Sequence, residues 1–363
     1  MRAALLTDSI EIVDDVEIAP LGPTDVLVRI EAAGVCRSDL SVVEGTIGSP
    51  RPVVLGHEGA GVIEDVGSAV TAVEPGDHVV LVTLSTCGRC PACAKGHPTL
   101  CISGVVDPAA RFTWRGAPAY QFANTSVFAE RTIVNQRQAV RIDRRVPFDR
   151  AALLGCGVLT GAGAVFNRAR VGQGATVAVI GVGGVGLNTI QAARLAGATR
   201  IIAVDAATSK RALALEFGAT DFVDARGEEV LGRLKELVPA GLDFTFDCVG
   251  KPAVLRAAVD ALAPGGACVI VGYAGRGVEA SFEMTSLYQD KAILGCRYGS
   301  SRPDADIPML VDLYLAGRLN LDALVTQKYP LESVERVFQD MEAGALARGV
   351  LVPGLAGHLI SEE

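Results

Sequence analysis

Charge and aromaticity are scarce in this sequence. Only 20% of its 363 residues are charged and 5% aromatic, with one tryptophan and four histidines. No run of Lys or Arg occurs and the formal net charge is −8, which argues against a nucleic-acid partner. No stretch reaches the ~18 uninterrupted apolar residues of a membrane span. The opening MRAALLTDSIEIVDDVEI is broken by acids and lacks a cleavable leader pattern. Low-complexity tracts and internal repeats beyond strand–helix units are also missing. The expectation is a soluble, cytoplasmic protein with no membrane and no nucleic-acid partner. What is abundant is apolar residues (50%) and glycine (41), which suits a well-packed α/β chain. The length exceeds one comfortable core, so two domains are expected.

Nine cysteines in such a chain point to a reducing compartment, where clustered thiols hold metal more often than they pair. CGRCPACAKGHPTLC, residues 87–101, spaces Cys87, Cys90, Cys93 and Cys101 as C-x2-C-x2-C-x7-C. Thiolates at two-residue spacing curl around one zinc ion, helped here by Gly88 and Pro91. Four thiolates leave no vacancy for a substrate, so the site is structural.

A second set is dispersed through AAGVCRSDL, VVLGHEGAGVI and LLGCGVLTGAG. Singly, Cys36, His57 and Cys156 read as core residues. Together they offer zinc three ligands and a vacant fourth position, the arrangement of a catalytic site. An oxygen bound there loses its proton more easily. Asp39 is placed to accept the second ring N–H of His57.

ATVAVIGVGGVG, residues 175–186, is an apolar strand running into Gly181-x-Gly183-x-x-Gly186, with Gly184 and Val185 between. The stretch LNTIQAARLAGA reads as a helix and TRIIAVD as a second strand ending in Asp205, about 20 residues past the glycines, the dinucleotide fingerprint. Asp205 would bond the adenosine ribose and repel a 2′-phosphate, favouring NAD. Helices and strands alternate over 170–300, predicting a doubly wound parallel sheet, whereas the segments before 150 are short and strand-like.

In sequence order, VLVRIEAAGVCRSDL, LGHEGAGVI, the four-cysteine lobe, GCGVLTGAGA, GVGGVG, VDAATSK and ALARGVLV resemble the zinc-dependent alcohol dehydrogenases of the medium-chain dehydrogenase/reductase superfamily. The resemblance implies an α/β protein: a GroES-like β-rich catalytic domain, residues 1–157 and 301–363, carrying both zinc sites, and an inserted Rossmann domain, 158–300, for NAD. It implies Cys36, His57 and Cys156 as catalytic-zinc ligands, Glu58 as a transient approach to the metal, and Ser38 as the hydroxyl that takes the substrate proton. Arg37 and Arg348 match arginines facing the cofactor pyrophosphate, Asp205 and Lys210 the ribose contacts, and Thr160 and Val185 the nicotinamide neighbours. Ser41 stands where relatives often carry a proton-relaying histidine, and a serine is no base near neutral pH. Edge-to-edge pairing of Rossmann sheets implies a homodimer, with a tetramer as the alternative.

The implied reaction is oxidation of an alcohol to an aldehyde, and its reverse. Ile47, Thr83, Phe122 and Tyr273 are candidate pocket liners, and Thr83 in place of a bulky aromatic suggests medium-chain or aromatic primary alcohols. The alternative is a formaldehyde dehydrogenase acting on a glutathione or mycothiol adduct, which would need an anion patch; Arg51, Arg111 and Arg115 are its candidates. A non-catalytic zinc and nucleotide sensor is the remote alternative, and Cys156 argues against a polyol dehydrogenase, where glutamate is common. Cys248, Cys268 and Cys296 read as core thiols, His78 as structural, and Trp114 as surface packing or a cleft cover.

Overall fold

The computed structural model describes residues 1–102, 110–226 and 229–355. The chain divides into two compact units, Met1–Cys156 with Arg302–Gly317 and Leu321–Glu363, and Gly157–Ser301 with Arg318–Asn320.

The first unit is built on β-sheets. Alternation in DVLVRIEAAG forms the strand Asp25–Gly34, with Val26, Val28 and Ile30 buried. It lies antiparallel to Glu58–Val66, pairing Gly34 with Glu58, and to Arg348–Val352, pairing Gly34 with Val350. Three distant stretches of chain therefore meet at the end of one strand. The sheet order is Ala139–Arg141, His78–Leu81, Glu58–Val66, Asp25–Gly34, Arg348–Val352 and Val325–Pro330, with Arg131–Asn135 also on Asp25–Gly34. A second sheet orders Ile10–Val13, Ala3–Leu6, Val53–Val54, Ala117–Gln121, Phe112–Trp114 and Val16–Ile18. Leu6, Leu55, Ile63, Leu81, Phe128 and Leu351 share the core; truncating one such side chain to Ala costs about 2–5 kcal/mol.

A helical run, Phe148–Ala169, leads the chain from the first unit into the second. Its length and composition would let it cross a membrane, but most of it is buried in the fold as a core helix. Two stretches of it, Leu154–Val158 and Ala164–Ala169, are π-helical, and Cys156 sits in the first. The small residues of GVLTGAGA permit close packing. A Cβ on Gly161 would lie 2.5 Å from the Val185 carbonyl oxygen, and one on Gly163 would strike the Gly299 carbonyl.

The second unit is a six-stranded parallel sheet in the order Asp221–Asp224, Arg200–Asp205, Thr176–Ile180, Leu242–Asp247, Leu262–Ile270 and Ala292–Gly295. Numbered along the chain this is 3-2-1-4-5-6, the dinucleotide-binding order. After Thr176 the run VAVI is apolar throughout because both faces of its strand are covered.

Candidate functional site

The four cysteines of the lobe come together as one cluster, with all ligand sulfurs within 4.8 Å of one another. Cys87 and Cys101 Sγ lie 3.6 Å apart, and Cys90 and Cys101 Sγ 3.9 Å. A tetrahedron of thiolates at the usual Zn–S length has edges of about 3.8 Å, so the cage is sized for zinc. Backbone N–H groups support it: Cys87 N donates to Cys101 Sγ and Cys90 N to Cys87 Sγ, both at 3.3 Å. The N–H groups of Arg89 and Cys90 hold the Cys87 thiol down to about 6. All nine cysteines are free.

Cys36, His57, Glu58 and Cys156 form a second cluster, also within 4.8 Å. Cys36 precedes the short helix Arg37–Val43, whose third residue, Asp39, accepts the Cys36 N–H at 2.9 Å through Oδ2. The other oxygen of Asp39 lies 2.7 Å from His57 Nδ1. That bond puts the ring proton on Nδ1 and leaves the Nε2 lone pair for a metal. Asp39, His57 and Glu58 are buried, and Phe122 meets the His57 ring edge-on at 5.6 Å.

The electrostatics of this cluster suit a bound cation. A hydrogen bond from Cys156 drives the Cys36 thiol well below its ordinary range and the shared proton drives Cys156 well above it. Burial would lower His57, but the Asp39 charge and hydrogen bond together with Cys36 raise it well above the ordinary value. Burial lifts Glu58 to about 7, partly offset by Arg348. Arg348 donates to Glu58 Oε2, while Glu58 Oε1 is buried without a hydrogen-bond partner. Two thiols and an imidazole pointing at one spot are a three-ligand donor set for zinc, and the Glu58 carboxylate lies where it can approach the fourth position. Gly34 belongs here as well: a Cβ on it would lie 2.5 Å from Glu58 Oε2.

In the second unit, Gly181 has φ +96°, open to glycine without strain. A Cβ on Gly183 would meet nothing within 4 Å, so the backbone at the start of the helix Gly184–Leu195 is bare for a phosphate. A Cβ on Gly186 would strike the Gly181 carbonyl, so glycine here lets the helix close on the loop. Asp205 ends its strand and accepts Val182 N–H at 2.7 Å, Ala207 N–H at 2.8 Å and Lys210 Nζ at 3.2 Å. Thr160 is buried in the helix Leu159–Gly163. These groups fit a dinucleotide.

The remaining candidates scatter. Arg37 is exposed and paired with Glu44 at 3.0 Å and Glu342 at 3.4 Å. Ser38 is half-buried beside it. Ile47 packs on the first unit's core, and Asn124 Nδ2 donates to the Thr83 carbonyl at 3.4 Å. Tyr273 belongs to the second unit and is exposed. Trp114 is surface packing: its Nε1 donates to Asp15 at 2.8 Å and Arg115 stacks on it at 4.3 Å. His78 lies against Phe148, ring centroids 4.5 Å apart. Cys268 is buried, whereas Cys248 and Cys296 are only partly so. Sequence reasoning missed the Glu58–Arg348 pair, which joins positions 290 residues apart and has no local signal.

Comparison with known proteins agrees with this geometry. Residues 22–144 match the alcohol dehydrogenase GroES-like domain and residues 184–316 the zinc-binding dehydrogenase domain. The alcohol dehydrogenase class-3 of Myxine glutinosa is 39% identical over 352 residues, 93% of each chain. The chain belongs to the zinc-dependent alcohol dehydrogenase family. The S-(hydroxymethyl)glutathione dehydrogenase of Saccharomyces cerevisiae is 38% identical over 345 residues, 90% of this chain and 89% of the relative. The crystal structure of benzyl alcohol dehydrogenase from Acinetobacter calcoaceticus superposes with a TM-score of 0.91 at 32% identity, covering 97% and 98% of the two chains. This zinc-dependent dehydrogenase is therefore an oxidoreductase, with a GroES-like unit, a nucleotide-binding unit, zinc and a nicotinamide dinucleotide as its equipment.

Proposed function

We propose that this dehydrogenase oxidises a primary alcohol, aromatic or of medium chain length, to the aldehyde with NAD, and runs the reverse. The observation that carries the reading is the convergence of Cys36, His57, Glu58 and Cys156, with Asp39 fixing the imidazole. Cys36, His57 and Cys156 would hold the catalytic zinc and Cys87, Cys90, Cys93 and Cys101 the structural one. The catalytic metal supplies a Lewis acid that eases loss of the alcohol proton. Ser38 takes that proton, and with Ser41 unable to act as a base it leaves through water. Glu58, held by Arg348, is the carboxylate that can approach the metal site while ligands exchange. A bound dinucleotide would supply the hydride acceptor, and Asp205 at the end of its strand favours NAD over its 2′-phosphate form.

The names of the relatives favour two substrate classes. Those active on the glutathione adduct of formaldehyde favour the thiol route. The benzyl alcohol dehydrogenase favours a free aromatic alcohol, as does Phe122 beside His57. The arginines available for a thiol's charged groups are otherwise engaged. Arg111 bonds to buried Asp25 at 2.6 Å, Arg51 to the Thr7 carbonyl at 2.5 Å, and Arg115 stacks on Trp114. That supports the free alcohol. The test is NADH formation with alcohols from ethanol to octanol, benzyl alcohol, and formaldehyde with and without glutathione or mycothiol. Turnover that rises with alcohol size supports the proposal; turnover on the thiol mixture alone moves the reading to the adduct.

The working form is proposed to be a cytoplasmic homodimer. Its support is the strand Ala292–Gly295 at the sheet edge, with Met284 and Tyr288 nearby in sequence and each 89% exposed. Light scattering of the wild type and of Y288D would show a dimer falling to a monomer.

A further inference from the structure

The glycine loop of the dinucleotide site is held from behind by a residue to which the chemistry above gives no part. Asp247 ends the strand Leu242–Asp247 and stands opposite Ile180, the last residue of the strand that feeds the loop. Its side chain is fully buried, and Oδ1 accepts two backbone protons, from Val249 and Gly250 N–H, each at 2.9 Å. Its carbonyl accepts two more, from Val271 at 2.9 Å and Gly272 at 2.8 Å. Between these, Cys248 N–H donates to the Ile180 carbonyl at 2.9 Å.

One residue thus ties the turn 248–250 to the turn 271–272, and that turn reaches the glycine loop by contact. A Cβ on Gly181 would lie 2.7 Å from Val249 Cγ2, so Val249 occupies the space that a side chain at Gly181 would need. A Cβ on Gly272 would lie 2.6 Å from the Val249 backbone, so the two turns are pressed together. Asp247 Oδ2 is buried without a hydrogen-bond partner.

We propose that Asp247 is a positioning residue for the dinucleotide: by fixing the turn 248–250 against Gly181 it sets the shape of the phosphate-binding loop. The inference rests on the dinucleotide reading above and adds to it a residue that need not touch the cofactor. Burial pushes the Asp247 carboxyl up from its ordinary range. A carboxamide offers the same acceptor oxygen, so asparagine is the conservative replacement.

The test is NADH binding by fluorescence with steady-state kinetics on wild type, D247N and D247A, with melting temperatures to confirm folding. Losing the one side-chain acceptor of the two backbone N–H groups at Val249 and Gly250 predicts D247A to bind NADH roughly ten-fold more weakly. Its KM for NAD should rise by the same factor while kcat at saturating NAD changes little. D247N should restore binding to within about two-fold, because Oδ1 is kept. D247A with wild-type affinity, or D247N as weak as D247A, would overturn the proposal. A wild type that binds no NADH would overturn the dinucleotide reading itself. Hydrogen exchange on the unliganded wild type needs no variant: the Val249 and Gly250 amides should be protected, and exchange at the free-peptide rate would also sink the idea.

Discussion

The two thiol-rich clusters of the first unit use the same chemistry in opposite ways. The lobe gathers its four ligands from fifteen consecutive residues and supports them with its own backbone N–H groups. The buried cluster gathers its ligands from residues 36, 57–58 and 156 and supports them with side chains, Asp39 behind His57 and Arg348 behind Glu58. A site made by local chain can exist before the domain is complete. The other requires the finished sheet and has its ligands oriented by partners that only the fold supplies. The first arrangement closes around an ion; the second leaves a position free for reaction.

Substitutions that separate the two clusters test this contrast. The largest effect is expected from Cys156→Ala, which should remove the Lewis acid and lower kcat by roughly 10³-fold or more. Zinc should fall from two ions per chain to one, with the melting temperature nearly kept; unchanged kcat would break the assignment. Cys101→Ala should do the converse. It should also leave one zinc, but lose about 3 kcal/mol of stability and roughly 10 °C in melting temperature, with turnover per folded molecule kept.

Asp39→Asn probes the support rather than the ligands, since an amide can present the wrong partner to His57 Nδ1. Catalytic-zinc affinity or activity should drop by about 10–100-fold while the structural zinc stays bound, measured by chelator competition. The smallest effect tests charge pairing away from either metal. In the second unit Asp221 bonds to Arg200 at 3.0 Å, and this bond holds its carboxyl below the ordinary 3.8. A depressed pKa in the folded state gives stability that is present above 3.8 and lost as pH falls through the lower folded value. D221N should therefore cost about 0.5 kcal/mol near neutral pH, given partial solvent screening. The difference from wild type should vanish in acid, as read from urea midpoints at several pH values.

Legibility followed the distance over which each feature is built. The lobe and the glycine loop could be read directly, because their spacings are local and each residue type has one physical reason to be there. The parallel sheet of the second unit followed from strand–helix alternation, but its strand order did not. Cys36, His57 and Cys156 could be grouped only by the zinc chemistry they would share, since nothing local joins them. Arg348 shows what stays hidden: a place beside the cofactor was expected, and the fold buries it on Glu58. Arg111 was a candidate anion binder, and the sheet turns it onto Asp25. The short helix Val230–Leu237 was not read from the sequence.

By itself the sequence determined the chemistry available: a thiolate cage, a dispersed donor set and a phosphate loop with its acidic partner, all fixed by residue type and near-neighbour spacing. Only the tertiary structure decided which side chain supports which. The antiparallel pairing of Gly34 with both Glu58 and Val350 brings Arg348 onto the metal cluster, and the parallel pairing of Ile180 with Asp247 sets Val249 behind the glycine loop. Those partners are chosen by strand register, which depends on burying one face of a whole sheet and leaves no mark in any short stretch of chain.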